Sequence, residues 1–303
     1  MNNDPDRGAN ATPHVLVGMG GWELPSFRDV FYPSKMEKGF RKLEFYSRFF
    51  DLIEVNATFY NTSLSPNQAR QWLEDVRQNP NFTFSVKLFR GFTHTFDATK
   101  EDALAVHRLL EPLRAAEKLA GLVIQFSDSF QRTREREAYL WKLRTAFPED
   151  VLFLDVRHRS WDDPSFYEFC RDNGLNLINV DLPQMRAHRQ LQENAWEGIA
   201  YFRMMGRNAE AWNGGQSADR YRYFYSDAEL EELRQHIKIS GAHKTFVVFH
   251  NDPNAFSLVN GLQTKNMLTP GSRLHAPGSL VTAFPQLKKF CDPVESGPSL
   301  FPF

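Results

Sequence analysis

The sequence predicts an α/β protein folded as a single (β/α)8 TIM-like barrel with parallel strands. Short runs rich in β-branched and aromatic residues alternate with helical patterns eight times along the chain. Most of these runs are continuously apolar, as strands are when helices cover a parallel sheet. An open, doubly wound sheet is the alternative, but the dinucleotide fingerprint is absent: GMGGWELPSF follows the first run without a GxGxxG, and no acidic residue closes the second. A length of 303 residues suits one barrel.

Taken in order, the strands are expected at 14–20 (HVLVGMG), 52–60 (LIEVNATFY), 82–89 (FTFSVKLF), 121–126 (GLVIQF), 151–158 (VLFLDVRH), 175–182 (LNLINVDL), 199–206 (IAYFRMMG) and 244–252 (KTFVVFHND). Helices are expected between them. Residues 35–50 place Phe40, Leu43, Tyr46, Phe49 and Phe50 at three- and four-residue spacings, and 65–79 opens on Ser-Pro. Helical patterns follow at 97–119, interrupted near Pro112, at 133–147, and at 162–174 closing on Gly174. The run 226–241 starts with the capping box Ser226-x-x-Glu229 and stops on Gly241, and 254–268 is the last. The link 183–198 is too short for a long helix and is read as a turn of helix with a loop. The domain reading is a disordered tail at 1–12, a barrel over 13–290 and a C-terminal tail at 291–303.

Composition narrows the function classes. Lys plus Arg number 36 against 37 Asp plus Glu, so no overall charge draws the chain to nucleic acid or an anionic membrane. Cys170 and Cys291 lie far apart and in no CxxC or Cys/His pattern, which argues for packing thiols in a reducing compartment. The start MNNDPDRGANATPH carries no signal-peptide pattern, and no run reaches the roughly 18 apolar residues of a membrane span. The expectation is a cytoplasmic protein with no membrane partner. The 27 phenylalanines read as core and loop packing.

Alternate strand residues point to opposite faces, so parity says which side chains enter the barrel. In LIEVNATFY, Ile53 and Val55 face helices while Glu54 and Asn56 face inward. The same reading sends in Ser85 and Lys87, Gln125, Asp155 and Arg157, Tyr201 and Arg203, and His250; from LNLINVDL it takes Asn179 and Asp181. These groups cluster toward strand C-terminal ends, where barrel enzymes build their active sites. Buried unpaired charge is costly, so the ring is either a closed ion-pair network or a wet ligand cavity. One pair alone reads as structural glue; the nine-membered ring of Glu54, Asn56, Lys87, Gln125, Asp155, Arg157, Asp181, Arg203 and His250 points toward a ligand.

The motifs GMGGWELPSFRDVFYP, FDLIEVNATFYNTSLSP, FTFSVKLFRGFTH, LVIQFSDSF, DVRHRSW, AYFRMMG and YSDAEL followed by VVFHNDPNAFSLVNGLQ resemble, in that order, the DUF72 or YecE-like family, over residues 14–268. The resemblance implies a TIM-barrel fold and no established activity. The chain departs from the family pattern in three places. Asp155 stands where a Glu is usual, Phe249-His250-Asn251 replaces Phe-Asn-Asn, and Met19-Gly20-Gly21-Trp22 replaces Thr-Ser-Gly-Trp.

The chemistry expected of such a ring is acid/base catalysis by a lyase, isomerase or hydrolase on a small polar, anionic or sugar-like substrate. Glu54 and Asp155 are the candidate bases, and Lys87, His94 and His250 the acids or stabilisers. Arg157 and Arg203 suit a carboxylate or phosphate, with Arg90 and Arg207 on the following loops. Asn56, Gln125, Asp181 and Asn251 complete the binding set, and Tyr60 and Trp161 an aromatic rim with Trp22 and Trp212. The loop 206–225 has the length and glycines of a lid. No cofactor is expected. A divalent metal on Glu54, His94, Asp181, His250 and Asp252 is the lesser alternative, since Lys87 and two arginines repel a cation. A Lys87 Schiff base ranks low here because carboxylate neighbours would keep the amine protonated. Rival readings are a nuclease-like or nucleic-acid-binding barrel and a non-catalytic binder; oligomeric state is open.

Overall fold

Described by a computed structural model over residues 14–214 and 219–295, the chain builds one parallel barrel. Its strands are β1 His14–Met19, β2 Leu52–Val55, β3 Thr83–Lys87, β4 Leu119–Gln125, β5 Leu152–Asp155, β6 Leu175–Leu177, β7 Asn179–Asp181, β8 Ile199–Met204 and β9 Lys244–Phe249. All pair in parallel in the order β6-β5-β4-β3-β2-β1-β9-β8-β7. β6 and β7 are two halves of one stave. The first half pairs with β5 and the second with β8, and Ile178 between them donates its N–H to the Leu154 carbonyl at 2.9 Å. The eight expected staves thus close into a barrel through one broken strand.

The helices are α1 Lys42–Tyr46, α2 Ala57–Tyr60, α3 Pro66–Asp75, α4 Arg90–Thr93, α5 Lys100–Ala115, α6 Arg134–Ala146, α7 Pro164–Asp172, α8 Ala209–Gly214, α9 Asp227–Ile239, α10 Phe256–Leu268 and α11 Gly278–Ala283. The Ser226–Glu229 capping box forms as the sequence predicts. Other expectations are corrected. Only Lys42–Tyr46 of 35–50 is helical. The periodic Tyr46, Phe49 and Phe50, together with Phe45, instead surround Phe31 in an aromatic cluster. Pro112 falls in the last turn of α5, where it removes a single hydrogen bond and leaves the helix unbroken. The link 183–198 contains no helix. The strand expected over 52–60 stops at Val55, and Ala57–Tyr60 turn into α2.

Residues from 291 were expected to be tail, yet Cys291–Val294 form a strand, β11, parallel to β10 Leu274–Pro277. Ala276, Leu280, Leu287 and Cys291 of this appendage join the outer core. The expected tails at 1–12 and 296–303 lie outside the described residues, as do 215–218 of the supposed lid. No helix among the described residues is long and apolar enough to cross a membrane.

Two apolar clusters result from the strand alternation. The outer one, with Ile53, Val55, Phe84, Val86, Leu122, Ile124, Leu154, Phe202 and Val247, packs strands on helices. The inner one, with Leu16, Leu52, Val123, Phe153, Tyr201, Phe246 and Val248, fills the barrel. Phe153 lies 4.7 Å from Tyr201 and 5.8 Å from Phe246, ring to ring. Above this plug the interior turns polar.

Candidate active site at the barrel mouth

Arg203, near the end of β8, is the hub of the polar layer and is 1 % exposed. Its guanidinium donates to Glu54 at 2.8 Å, to Gln125 at 2.9 Å, to Asp155, and through Nε to the His250 Nε2 at 3.3 Å. Strand closure makes this possible, because β2, β4, β5 and the residue after β9 each turn a polar side chain toward Arg203. Glu54 spends its other oxygen on the Tyr201 hydroxyl at 2.9 Å, and Ser85 sits 2.8 Å from that hydroxyl. Arg157 lies against Asp155 at 3.2 Å and Asp128 at 3.3 Å.

The electrostatics follow from this pairing. Burial by itself would push Glu54 up, but Arg203 and His250 outweigh it and hold the carboxyl well below its ordinary range. Asp155 is likewise buried, and Arg157 and Arg203 keep it low. Burial and the Arg203 charge pull His250 down to about 4. A neutral imidazole can accept the Arg203 N–H at Nε2, which places its proton on Nδ1. Gly20 leaves room for this ring, since a Cβ there would collide with the imidazole.

Lys87 is different. It ends β3, is partly exposed, and among the described residues has no carboxylate within ion-pair distance. Its Nζ lies 4.1 Å from the Phe59 ring centroid. Burial, then the Arg203 charge, lower its ammonium to about 7. His94 meets the same Phe59 ring edge-on at 4.9 Å and its Nδ1 lies 2.9 Å from the Thr93 hydroxyl. Its imidazole is pushed down by burial and then by Lys87, Arg157 and Arg90. Three cations therefore bear on one histidine at the mouth.

The structure brings together Glu54, Lys87, Gln125, Asp155, Arg157, Arg203 and His250, with His94 beside Lys87. Asn56 borders them, giving its amide N–H to the Gly20 carbonyl at 2.7 Å while its Oδ1 is buried without a partner among the described residues. Three expected residues, Asp181, Asn251 and Trp161, fall elsewhere. Asp181 shares the parity of Leu175 and Leu177, so it faces outward to Arg207 at 3.0 Å and to the Tyr225 hydroxyl at 2.6 Å; Asn179 on the same face binds Asn194. Asn251 has the parity of Phe249 and turns to the Tyr223 carbonyl and Asn260. Trp161 is buried against Phe130, donating to its carbonyl at 2.6 Å. Tyr60 is 73 % exposed and packs edge-on against Phe59, the position of a rim residue. With Asp181 turned away and Glu54 engaged by Arg203, the metal set is not assembled, and no cluster of three or more metal-ligating side chains occurs among the described residues.

Sequence reasoning missed Phe59 and Asp128 as members of this site, and turned Ser85 and Tyr201 inward without giving them a role. Parity placed Tyr201 and Ser85, whereas Phe59 and Asp128 lie past strand ends, where alternation carries no information.

Comparison with known proteins gives a consistent picture. The UPF0759 protein YunF of Bacillus subtilis is 29 % identical over 277 residues, spanning 84 % of this chain and 94 % of that protein. The crystal structure of a DUF72 family protein from Thermotoga maritima is 32 % identical with a TM-score of 0.75, covering 84 % of this chain and 99 % of that one. One from Enterococcus faecalis is 25 % identical with a TM-score of 0.71, covering 84 % and 95 %. The family model described as "Protein of unknown function DUF72" matches residues 16–281, and the chain belongs to that family.

Proposed function

We propose that the protein is an acid/base enzyme acting on a small anionic, polar or sugar-like molecule at the C-terminal mouth of the barrel, with Lys87 as the proton-transfer group. The observation that carries this reading is the contrast between Lys87 and its neighbours. Glu54, Asp155, Arg203 and Arg157 neutralise one another, whereas the Lys87 amine stands over an aromatic face with no carboxylate partner among the described residues. An amine that titrates near 7 is matched to acid/base work at neutral pH. Lys87, Arg90 and Arg157 all disfavour a charge on His94, so an arriving anion relieves their repulsion and draws protons onto both groups. Proton transfer next to a carbonyl by a lyase or isomerase, and general-acid hydrolysis, would use this same pair. Free, buried Cys170 and Cys291 fit a cytoplasmic setting.

A thermal-shift screen with inorganic phosphate, citrate, sugar acids and sugar phosphates tests the reading, using the unmodified protein, Lys87→Met and His94→Gln. The expected result is an anion that raises the melting temperature of the unmodified chain and not of Lys87→Met. Such an anion should also exchange a C–H for deuterium, or turn over, when followed by NMR with the unmodified chain in deuterated water. Equal protection of both chains, or protection by none of the anions, would overturn it.

A further inference from the structure

We propose that Lys87 is a covalent nucleophile whose Nζ condenses with the carbonyl carbon of a small anionic aldehyde or ketone to form an imine. This deepens the acid/base reading and rests on it, by naming the substrate class as carbonyl compounds.

A lysine nucleophile needs an unprotonated amine, a fixed approach and a place for the departing water. A neighbouring carboxylate would keep the amine charged. Here both oxygens of Glu54 are committed, one to Arg203 and one to Tyr201, and both oxygens of Asp155 to Arg157 and Arg203. Neither carboxylate has an oxygen left without an arginine or tyrosine donor. The main chain at Lys87 is fixed by the Thr58 hydroxyl, which donates to its carbonyl at 2.6 Å, and by the next residue, whose N–H reaches the Val123 carbonyl at 2.9 Å. Phe59 forms an apolar wall under Nζ, and His94 meets the same ring edge-on.

The step balances without an oxidant. The Nζ lone pair forms a C–N bond as the carbonyl π pair moves to oxygen, which takes a proton; the nitrogen loses one. The hydroxyl then leaves as water after a second protonation, and the nitrogen lone pair closes the C=N bond. His94 is placed to relay these protons. Arg157 is placed to hold the anionic group, because its contacts to Asp155 and Asp128 are longer than the Arg203–Glu54 bond and Asp128 is itself about a third exposed.

Borohydride trapping on the full chain tests the proposal, with pyruvate, glyoxylate and dihydroxyacetone phosphate as probes and acetone as the neutral comparison. Peptide mapping of the unmodified protein should find, for at least one anionic probe, a mass gain equal to the carbonyl compound less its oxygen. It should fall on Lys87 several-fold more than on any other lysine, and grow from about pH 6 to about pH 8 as the amine loses its proton. Lys87→Arg, with its fold checked by circular dichroism, should lose that label alone. Label spread evenly over surface lysines, or absent from Lys87, would overturn the imine. If anions still protect the unmodified chain and not Lys87→Met, the imine falls and the acid/base reading stands. If acetone labels Lys87 as well as the anions do, the anionic requirement falls.

Discussion

Arg203 shows how much one residue carries. It bridges two fully buried carboxylates that would otherwise face each other across the barrel. Replacing it by Met strands both charges, and a loss of about 3–5 kcal/mol is expected in urea denaturation. Adding Glu54→Gln and Asp155→Asn to that variant should recover most of it. The pH dependence has a definite sign. His250 binds its proton less readily when folded, at about 4 against 6.5, so stability falls as pH drops through that window. Glu54 and Asp155, both held low, add further loss as pH falls through the carboxylate range. The cost of Arg203→Met should therefore shrink at acid pH, where the stranded carboxylates protonate; a cost independent of pH would reject this account. Parity made Glu54, Lys87, Gln125, Asp155 and Arg203 legible in the sequence. It misplaced Asp181 only because polarity was read as orientation, against the phase set by Leu175 and Leu177.

At the scale of elements, short pairings are reinforced by side chains from the helical layer. β1 and β2 share only the register Gly18–Leu52 and Met19–Ile53. Tyr46 at the end of α1 spans them, its hydroxyl accepting the Met19 N–H at 3.0 Å and donating to the Leu52 carbonyl at 2.9 Å. Tyr46→Phe leaves two buried backbone groups without that partner, and a loss of about 2–3 kcal/mol is expected from thermal or urea melts. A loss within the scatter of surface substitutions would show that other groups take over. The helix expected over 35–50 was misjudged because its aromatic spacing serves the Phe31 cluster, and three- to four-residue spacing does not distinguish a helix from loop aromatics converging on one ring.

The whole molecule is a barrel closed by a stave that changes partners at Ile178, with the 274–294 appendage sealing part of the outer core. Ending the chain at residue 290 removes β11, unpairs β10 and uncovers Ala276 and Leu287. A lower urea midpoint and stronger binding of a hydrophobic dye are expected; an unchanged midpoint would mean that residues from 291 behave as a tail after all. The eight staves, their parallel pairing and most of the inward-facing polar set were legible in the chain alone, because period-two alternation and helix start signals are local properties. Which charge meets which was settled by the closed fold. Arg203 and Glu54 are 149 residues apart, and their contact depends on strand register around a closed sheet. That register commits the arginines to the carboxylates and leaves Lys87 over Phe59, the feature on which the proposed chemistry rests.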